Sequence, residues 1–492
     1  MKTLLISVAG LSLVAVSLPA QPALTIYNQN FAVVRERIAL DLKAGTNTVT
    51  FSGVTTQVEP DSVVLRDPSG KTAIRILEQS YRADTLSQGL MLSLNEGKEI
   101  DFLTRDKDLK EYTVRGKIIR SGYSPANAVN PYAPVAPGNS PIIEVNGRLR
   151  FSLPGEPVFP ALGDNTILKP TLNWQLAADR AAAVDAELGY ITGGLTWQAS
   201  YNLVSPEKGD TLDVIGWVTI QNESGKVFEN ATIKLMAGDV NKVQDDQRKA
   251  REQRSKVAMV ASVSEAAVTE KAFDEFHLYA LPRPVTLRDR ETKQVEFLRA
   301  TGVKAPTLYV YDGAATSAYR GWNAQMIRQN PEYGTQSNKK VWVMREFENK
   351  KENGGLGLPL PKGRTCFYRQ DSADGRLEFT GENMIEHTAQ GETVRIYTGD
   401  SFDLVGERKR MDFALSNRQD QAEESFEITL RNRKKEPVEI RVVERLYRGV
   451  NWEIIQKSDD FAKIEAQTIE FRVKLLPDEE KVVKYRVRYD WK

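Results

Sequence analysis

The chain has 492 residues, and its 67 Lys and Arg stand against 66 Asp and Glu, a net charge of +1. So even a balance excludes the broad positive field of a nucleic-acid binder and the acidic excess of a solvating tail. The length exceeds what one core serves, and an apolar fraction of 41% is that of a folded chain.

Met1-Lys2, the apolar run from Leu4 to Val16 and Ser17-Leu18-Pro19-Ala20 form the three parts of a secretory signal peptide over residues 1–20, with Ala15-Val16-Ser17 as an alternative cut. The run is too short to span a membrane, no later run approaches the ~20 apolar residues that a span needs, and no cysteine follows to carry a lipid anchor. The expected location is extracytoplasmic, in the periplasm or secreted.

Residues 21–95 read as an N-terminal β domain. A strand at 31–40 is followed by the Gly45-Thr46-Asn47 turn. Residues 62–65 and 74–77 read as a hairpin around Asp67-Pro68-Ser69-Gly70. Strands at 99–103, 112–120, 142–145 and 149–153 read as a small β-barrel inserted over 96–170, with five prolines in the surface stretch 124–141.

A β-sandwich over 171–305 is expected next. Trp197, Ala199, Tyr201 and Leu203 alternate with Gln198, Ser200 and Asn202, which puts one face of a strand on a core. Leu212, Val214, Ile215, Trp217, Val218 and Ile220 are apolar at both parities, as in a strand covered on both faces. Asn222-Glu223-Ser224-Gly225 then turns the chain into Ile233 and Leu235, so 188–238 reads as a β-meander. Residues 241–272 lack strand alternation, and Val257, Val260, Val263 and Val268 form a partial helical stripe, so this is an exposed helical or mobile insertion.

Residues 306–415 are β-rich, with a loop carrying Trp322, a glycine-rich stretch at 354–363 and a hairpin turning on Asp374-Gly375. Residues 416–492 read as an immunoglobulin-like sandwich. Phe426, Ile428 and Leu430, then Phe471, Val473 and Leu475, then Val483, Tyr485, Val487, Tyr489 and Trp491 each alternate with polar residues. The fold class is all-β: several antiparallel immunoglobulin-like β-sandwich modules, a barrel-like insertion and one helical or mobile insertion. Val218-Thr219-Ile220-Gln221-Asn222 leading to Ala231-Thr232-Ile233 parallels Ile428-Thr429-Leu430-Arg431-Asn432 leading to Val438-Glu439-Ile440. A duplicated sandwich and a convergence of two hairpins both account for that parallel.

Catalytic signatures are scarce. One cysteine, Cys366, forms no internal disulfide and reads as an inert strand thiol. Two histidines far apart in sequence, His277 and His387, leave little for a histidine-ligated metal, and His277 reads as packed in an apolar strand. No nucleophile elbow, zinc-protease or phosphate-loop pattern occurs, and Asp371 to Gly375 reads as a turn rather than a calcium loop. No cofactor or metal is expected. The candidate site gathers Glu382, His387, Asp400 and Asp403, where carboxylates beside a histidine suit acid–base work, unless they only close polar turns. Two functions follow: a non-catalytic envelope protein binding another envelope protein or a polysaccharide, and an extracytoplasmic hydrolase using the carboxylates from Glu382 to Asp403.

Several stretches taken together carry a family resemblance. They are Tyr190-Ile191-Thr192-Gly193-Gly194-Leu195-Thr196-Trp197, Leu281-Pro282-Arg283-Pro284, Leu356-Gly357-Leu358-Pro359-Leu360-Pro361, Phe379-Thr380-Gly381-Glu382-Asn383 and Gly399-Asp400-Ser401-Phe402-Asp403-Leu404. The chain resembles, over about 183–492, an uncharacterised bacterial family, a domain of unknown function also found in mucoidy-inhibitor-A-like proteins. Residues 24–81 are similar to the N-terminal part of the same proteins. The resemblance implies a bacterial, exported, β-rich protein and supplies no catalytic residue or ligand.

Overall fold

Alternating apolar and polar residues make strands through most of the described residues, interrupted there by two short α-helices, Gln88–Leu94 and Ala324–Gln329. The computed structural model describes residues 21–83, 86–106, 108–123, 140–161, 167–238, 242, 269–273 and 276–491. The expected signal peptide over 1–20, and most of 124–141 and 241–272, lie outside the described residues. Among those described, no helix is long and apolar enough to cross a membrane. The chain divides into two compact units, one of residues up to 197 with 220–236 and 280–293, the other of 198–219, 237–279 and 294–492.

In the first unit a sheet runs in the order Phe228–Ala237, Ala23–Tyr27, Phe31–Leu42, Ala182–Gly193, Val64–Arg66. Leu24, Ile26, Val34, Leu188, Tyr190 and Ile233 are buried on it. Gly45–Ser52, Thr171–Ala178 and Ile74–Arg82 form a three-stranded sheet. The insertion is a five-stranded sheet over a small core of Leu92, Ile100, Phe102, Ile118, Ile143 and Val145. It is not the expected barrel. Its outer strands, Glu156–Val158 and Arg148–Arg150, have three residues each and pair only inward, whereas closure requires the two edges to meet.

In the second unit a five-stranded sheet runs Glu291–Lys304, Thr211–Asn222, Leu195–Ser205, Gly363–Gln370, Leu377–Ile385. A nine-stranded sheet follows one continuous path from Trp452–Lys457 to Phe461–Glu465. Its core takes Phe426, Ile428, Val483 and Tyr485 from one end of that path and Ile440, Val442, Phe471 and Val473 from the other. The predicted tail alternation is therefore the core. The sheets are mainly antiparallel. Ala23–Tyr27 with Phe228–Ala237, Leu195–Ser205 with Gly363–Gln370, and Thr307–Asp312 with Val438–Arg445 pair in parallel.

Two expected pairings are corrected. Asp67 does close its turn, accepting from the backbone of Ser69 and Thr72, but Val64–Arg66 pairs with Ala182–Gly193 and Ile74–Arg82 with Thr171–Ala178. The meander is likewise broken. Only Leu195–Ser205 and Thr211–Asn222 are sheet neighbours, while Ala182–Gly193 pairs with Phe31–Leu42 and Phe228–Ala237 with Ala23–Tyr27. Gly194, at φ +80°, lets the chain leave one sheet for the next, and its missing side chain makes room for the Glu223 carbonyl.

The sequence parallel extends into three dimensions as one corner built twice. Asn222 donates to the carbonyls of Lys226 (2.8 Å) and Arg288 (3.0 Å), and Asn432 donates to those of Glu436 (2.9 Å) and Leu476 (3.0 Å). Glu291 accepts from the Arg288 amide at 2.7 Å and Glu479 from the Leu476 amide at 2.5 Å. Arg290 and Asp478, equivalent residues of these turns, both take a left-handed backbone, at φ 58° and 60°. So many shared contacts favour duplication over convergence.

Candidate functional site

Leu377–Ile385 is the last strand of its sheet and pairs only with Gly363–Gln370. The two meet in the turn predicted from Asp374-Gly375. Asp371 accepts the amides of Ala373 and Gly375 at 2.8 Å each, and Gly375 supplies φ +73°. Residues 369–380 are exposed at both parities, so the tip of this hairpin projects beyond its sheet as an arm. Leu377 is 51% exposed and Phe379 56%, with Phe379 edge-on to Tyr368 at 5.9 Å between ring centres. Met384, farther along, is 61% exposed.

The outer edge is not uniformly open. A Cβ at Gly381 would lie 2.4 Å from the Thr398 carbonyl, and Asn383 reaches the Tyr397 carbonyl at 3.5 Å, so Thr393–Leu415 passes close beside that half. From Leu377 to Thr380 no ladder partner lies on the outer side among the described residues. Unpaired N–H and C=O groups of a strand edge are a template for another strand, and the flanking charges of Arg376 and Glu378 guard against indiscriminate pairing.

The sequence-predicted residues lie on this hairpin, just after it and on the next strand, and three of the four side chains have a local partner of their own. Glu382, exposed, is ion-paired with Arg364 on the neighbouring strand. His387, exposed, accepts the Lys362 amide at Nδ1, 3.2 Å away. Asp400 accepts from Lys340 Nζ at 2.7 Å and from the Tyr397 hydroxyl at 2.8 Å. Burial pushes the Asp400 carboxyl up, but those two hydrogen bonds outweigh it and hold the group below the usual aspartate range. Asp403 is exposed, its carbonyl accepts the Arg433 amide, and its carboxylate has no ion pair or hydrogen bond among the described residues. No shared hydrogen bond or ion pair joins these four side chains among the described residues.

Cys366 lies on the predicted strand, half-buried, and burial raises its thiol pKa, which suits an unreactive cysteine. His277 is corrected. Rather than packing among apolar neighbours, it faces Glu270 at 2.8 Å from a position 40% exposed. The glycine-rich stretch at 354–363 is held through its carbonyls by buried side chains: Leu358 by Asn349 at 2.8 Å, Pro359 by Tyr279 at 2.8 Å and Pro361 by Tyr201 at 2.6 Å.

Sequence reasoning missed a buried charge network. Arg408 donates through Nε to both Glu444 oxygens at 2.9 Å, and the Tyr485 hydroxyl donates to Glu444 at 2.5 Å. Arg408 also holds the Gly334 carbonyl at 2.8 Å and sits 4.0 Å above the Phe426 ring. Arg448 bonds Glu424 at 2.8 Å and the carbonyls of Ile327, Asn330 and Tyr333 at 2.6, 3.0 and 3.0 Å. Burial disfavours the Arg408 charge, and Glu444, Tyr447 and Tyr485 together more than offset this. Most donors hold a carboxylate or a loop carbonyl, so the network clamps the loop carrying Trp322, while Arg408 Nη2, Arg448 Nε and Glu424 Oε2 are buried with no hydrogen-bond partner among the described residues. A signal did exist: Arg408 shares its parity with buried Leu404, Glu424 with Phe426, and Glu444 with Val442.

Comparison with known proteins adds family membership. The model for a domain of unknown function, DUF4139, matches residues 186–492, and that for an N-terminal domain of unknown function, DUF4140, matches residues 24–91. Among curated proteins no match is found. With well over half its length matched, the chain belongs to the DUF4139 family and carries a DUF4140 domain ahead of it.

Proposed function

We propose that this is an exported cell-envelope protein, akin to mucoidy-inhibitor-A-like proteins, that binds another envelope protein by adding an extended segment to the hairpin arm. The observation that carries the reading is the open edge from Leu377 to Thr380, where Leu377 and Phe379 stand half in water beside unpaired backbone. An added strand takes its affinity from the main chain and its specificity from alternate side chains, and Phe379 against Tyr368 supplies an aromatic anchor. The apolar run from Leu4 to Val16 supports export. A polysaccharide finds less here, because the exposed apolar residues follow a strand edge. Hydrolysis of a glycan needs one protonated and one ionised carboxyl in register. Asp400, held ionised, and Glu382, paired with arginine, are placed for charge pairing instead.

The test is affinity capture from envelope extracts with the wild-type chain and with a Leu377→Glu/Phe379→Glu variant, at several salt concentrations. Proteins retained by the wild type and lost by the variant are expected. Equal retention by both, or nothing above background, would count against the arm.

A further inference from the structure

The corner built on Asn432 leaves two unlike features side by side. The first is a knob. Lys340 pairs with Val405 but Trp342 with Asp400, so residues 401–403 bulge out of the ladder while Leu404 keeps its place opposite Asn432. Phe402, on this bulge, is 96% exposed, the most exposed large apolar side chain among the described residues. Beside it stands the unpartnered Asp403 carboxylate. The second is a hole, a depression of about 310 Å³ lined by Pro437, Val438, Glu439, Lys474, Leu475 and Leu476. Lys474 faces Glu439 across the ladder, yet makes no ion pair among the described residues. Leu404 pairs with Asn432, whose amide holds the Leu476 carbonyl, so the knob and the hole flank one corner.

Within one copy the knob does not fill the hole, because Phe402 stands almost wholly in water. A second copy supplies what each lacks. We infer that two copies of this chain pair about a two-fold axis, the Phe402 ring of each entering the Pro437–Leu476 depression of the other, with Asp403 against Lys474. A knob and a hole adjacent at one corner are both satisfied by a single rotation, so the contact closes at two copies instead of propagating as a fibre. The surface involved is small, so the dimer exchanges with monomer and forms as concentration rises.

Sedimentation equilibrium of the full chain from micromolar to near-millimolar concentration tests this. The mass should rise from 55.2 kDa toward twice that value. Phe402→Ser should abolish the rise, while Asp403→Lys and Lys474→Asp should each weaken it and their combination restore it. All three side chains are exposed, so circular dichroism and melting should match wild type. Wild type at monomer mass throughout would overturn the inference and leave the knob to a different protein. A dimer that survives Phe402→Ser, or a double variant weaker than either single one, would overturn it as well.

Discussion

Arg408 and Glu444 occupy positions that strand alternation assigns to apolar side chains, and both are almost wholly buried. Removing two charges from water costs several kcal/mol each, and their attraction offsets this only while both remain. Glu444→Gln therefore strands a buried guanidinium and should cost about 3–5 kcal/mol in urea unfolding. Arg408→Met with Glu444→Leu should cost clearly less than the two single changes added, because no lone charge is left. Additive losses would contradict the coupling. Asp400 makes a pH-dependent contribution. Its folded pKa lies below its unfolded one, so the stability it supplies is present above the ordinary aspartate pKa of about 3.9 and is lost as pH falls through the folded value. Carboxyl NMR should place its midpoint below that ordinary value, and Lys340→Met should raise it. A midpoint unmoved by Lys340→Met would remove the lysine from the explanation.

At the scale of elements, the corner Asn residues fix where strands end. Asn222 and Asn432 are fully buried, and each amide caps carbonyls that no ladder bond reaches. Asn432→Ala strands those carbonyls and should cost about 1–3 kcal/mol. Asn432→Asp should cost at least as much, since a carboxylate accepts and cannot donate; parity with wild type in either variant would mean the clamp is dispensable. Local chemistry of this kind is written in the sequence: the Asn turns, the Asp374-Gly375 hairpin and the alternation of the C-terminal strands all appear in the fold as expected. Strand partners are not written there. The Asp67 turn forms with its expected bonds, yet the strands on either side pair in different sheets, because pairing is settled by chain arriving from 89 to 125 residues away. The candidate site follows the same rule. Glu382 and Asp400 lie on strands of different sheets, and Lys340 reaches Asp400 from a strand sixty positions earlier, which no local pattern announces.

At the scale of the molecule, a net charge of +1 leaves little long-range steering, so recognition rests on short-range contacts at particular edges. The hairpin arm is such an edge. Its exposed side chains hold no core together, and Leu377→Glu/Phe379→Glu should shift stability by no more than about 0.5 kcal/mol per site while removing the partner. The most direct measurement places a photo-crosslinking amino acid at Phe379 in the chain exported in cells, with Leu109, an exposed apolar residue elsewhere, as the control site. One discrete adduct from position 379 and none from 109 is the predicted result. No adduct at 379, or the same adducts from both positions, would contradict binding through the arm.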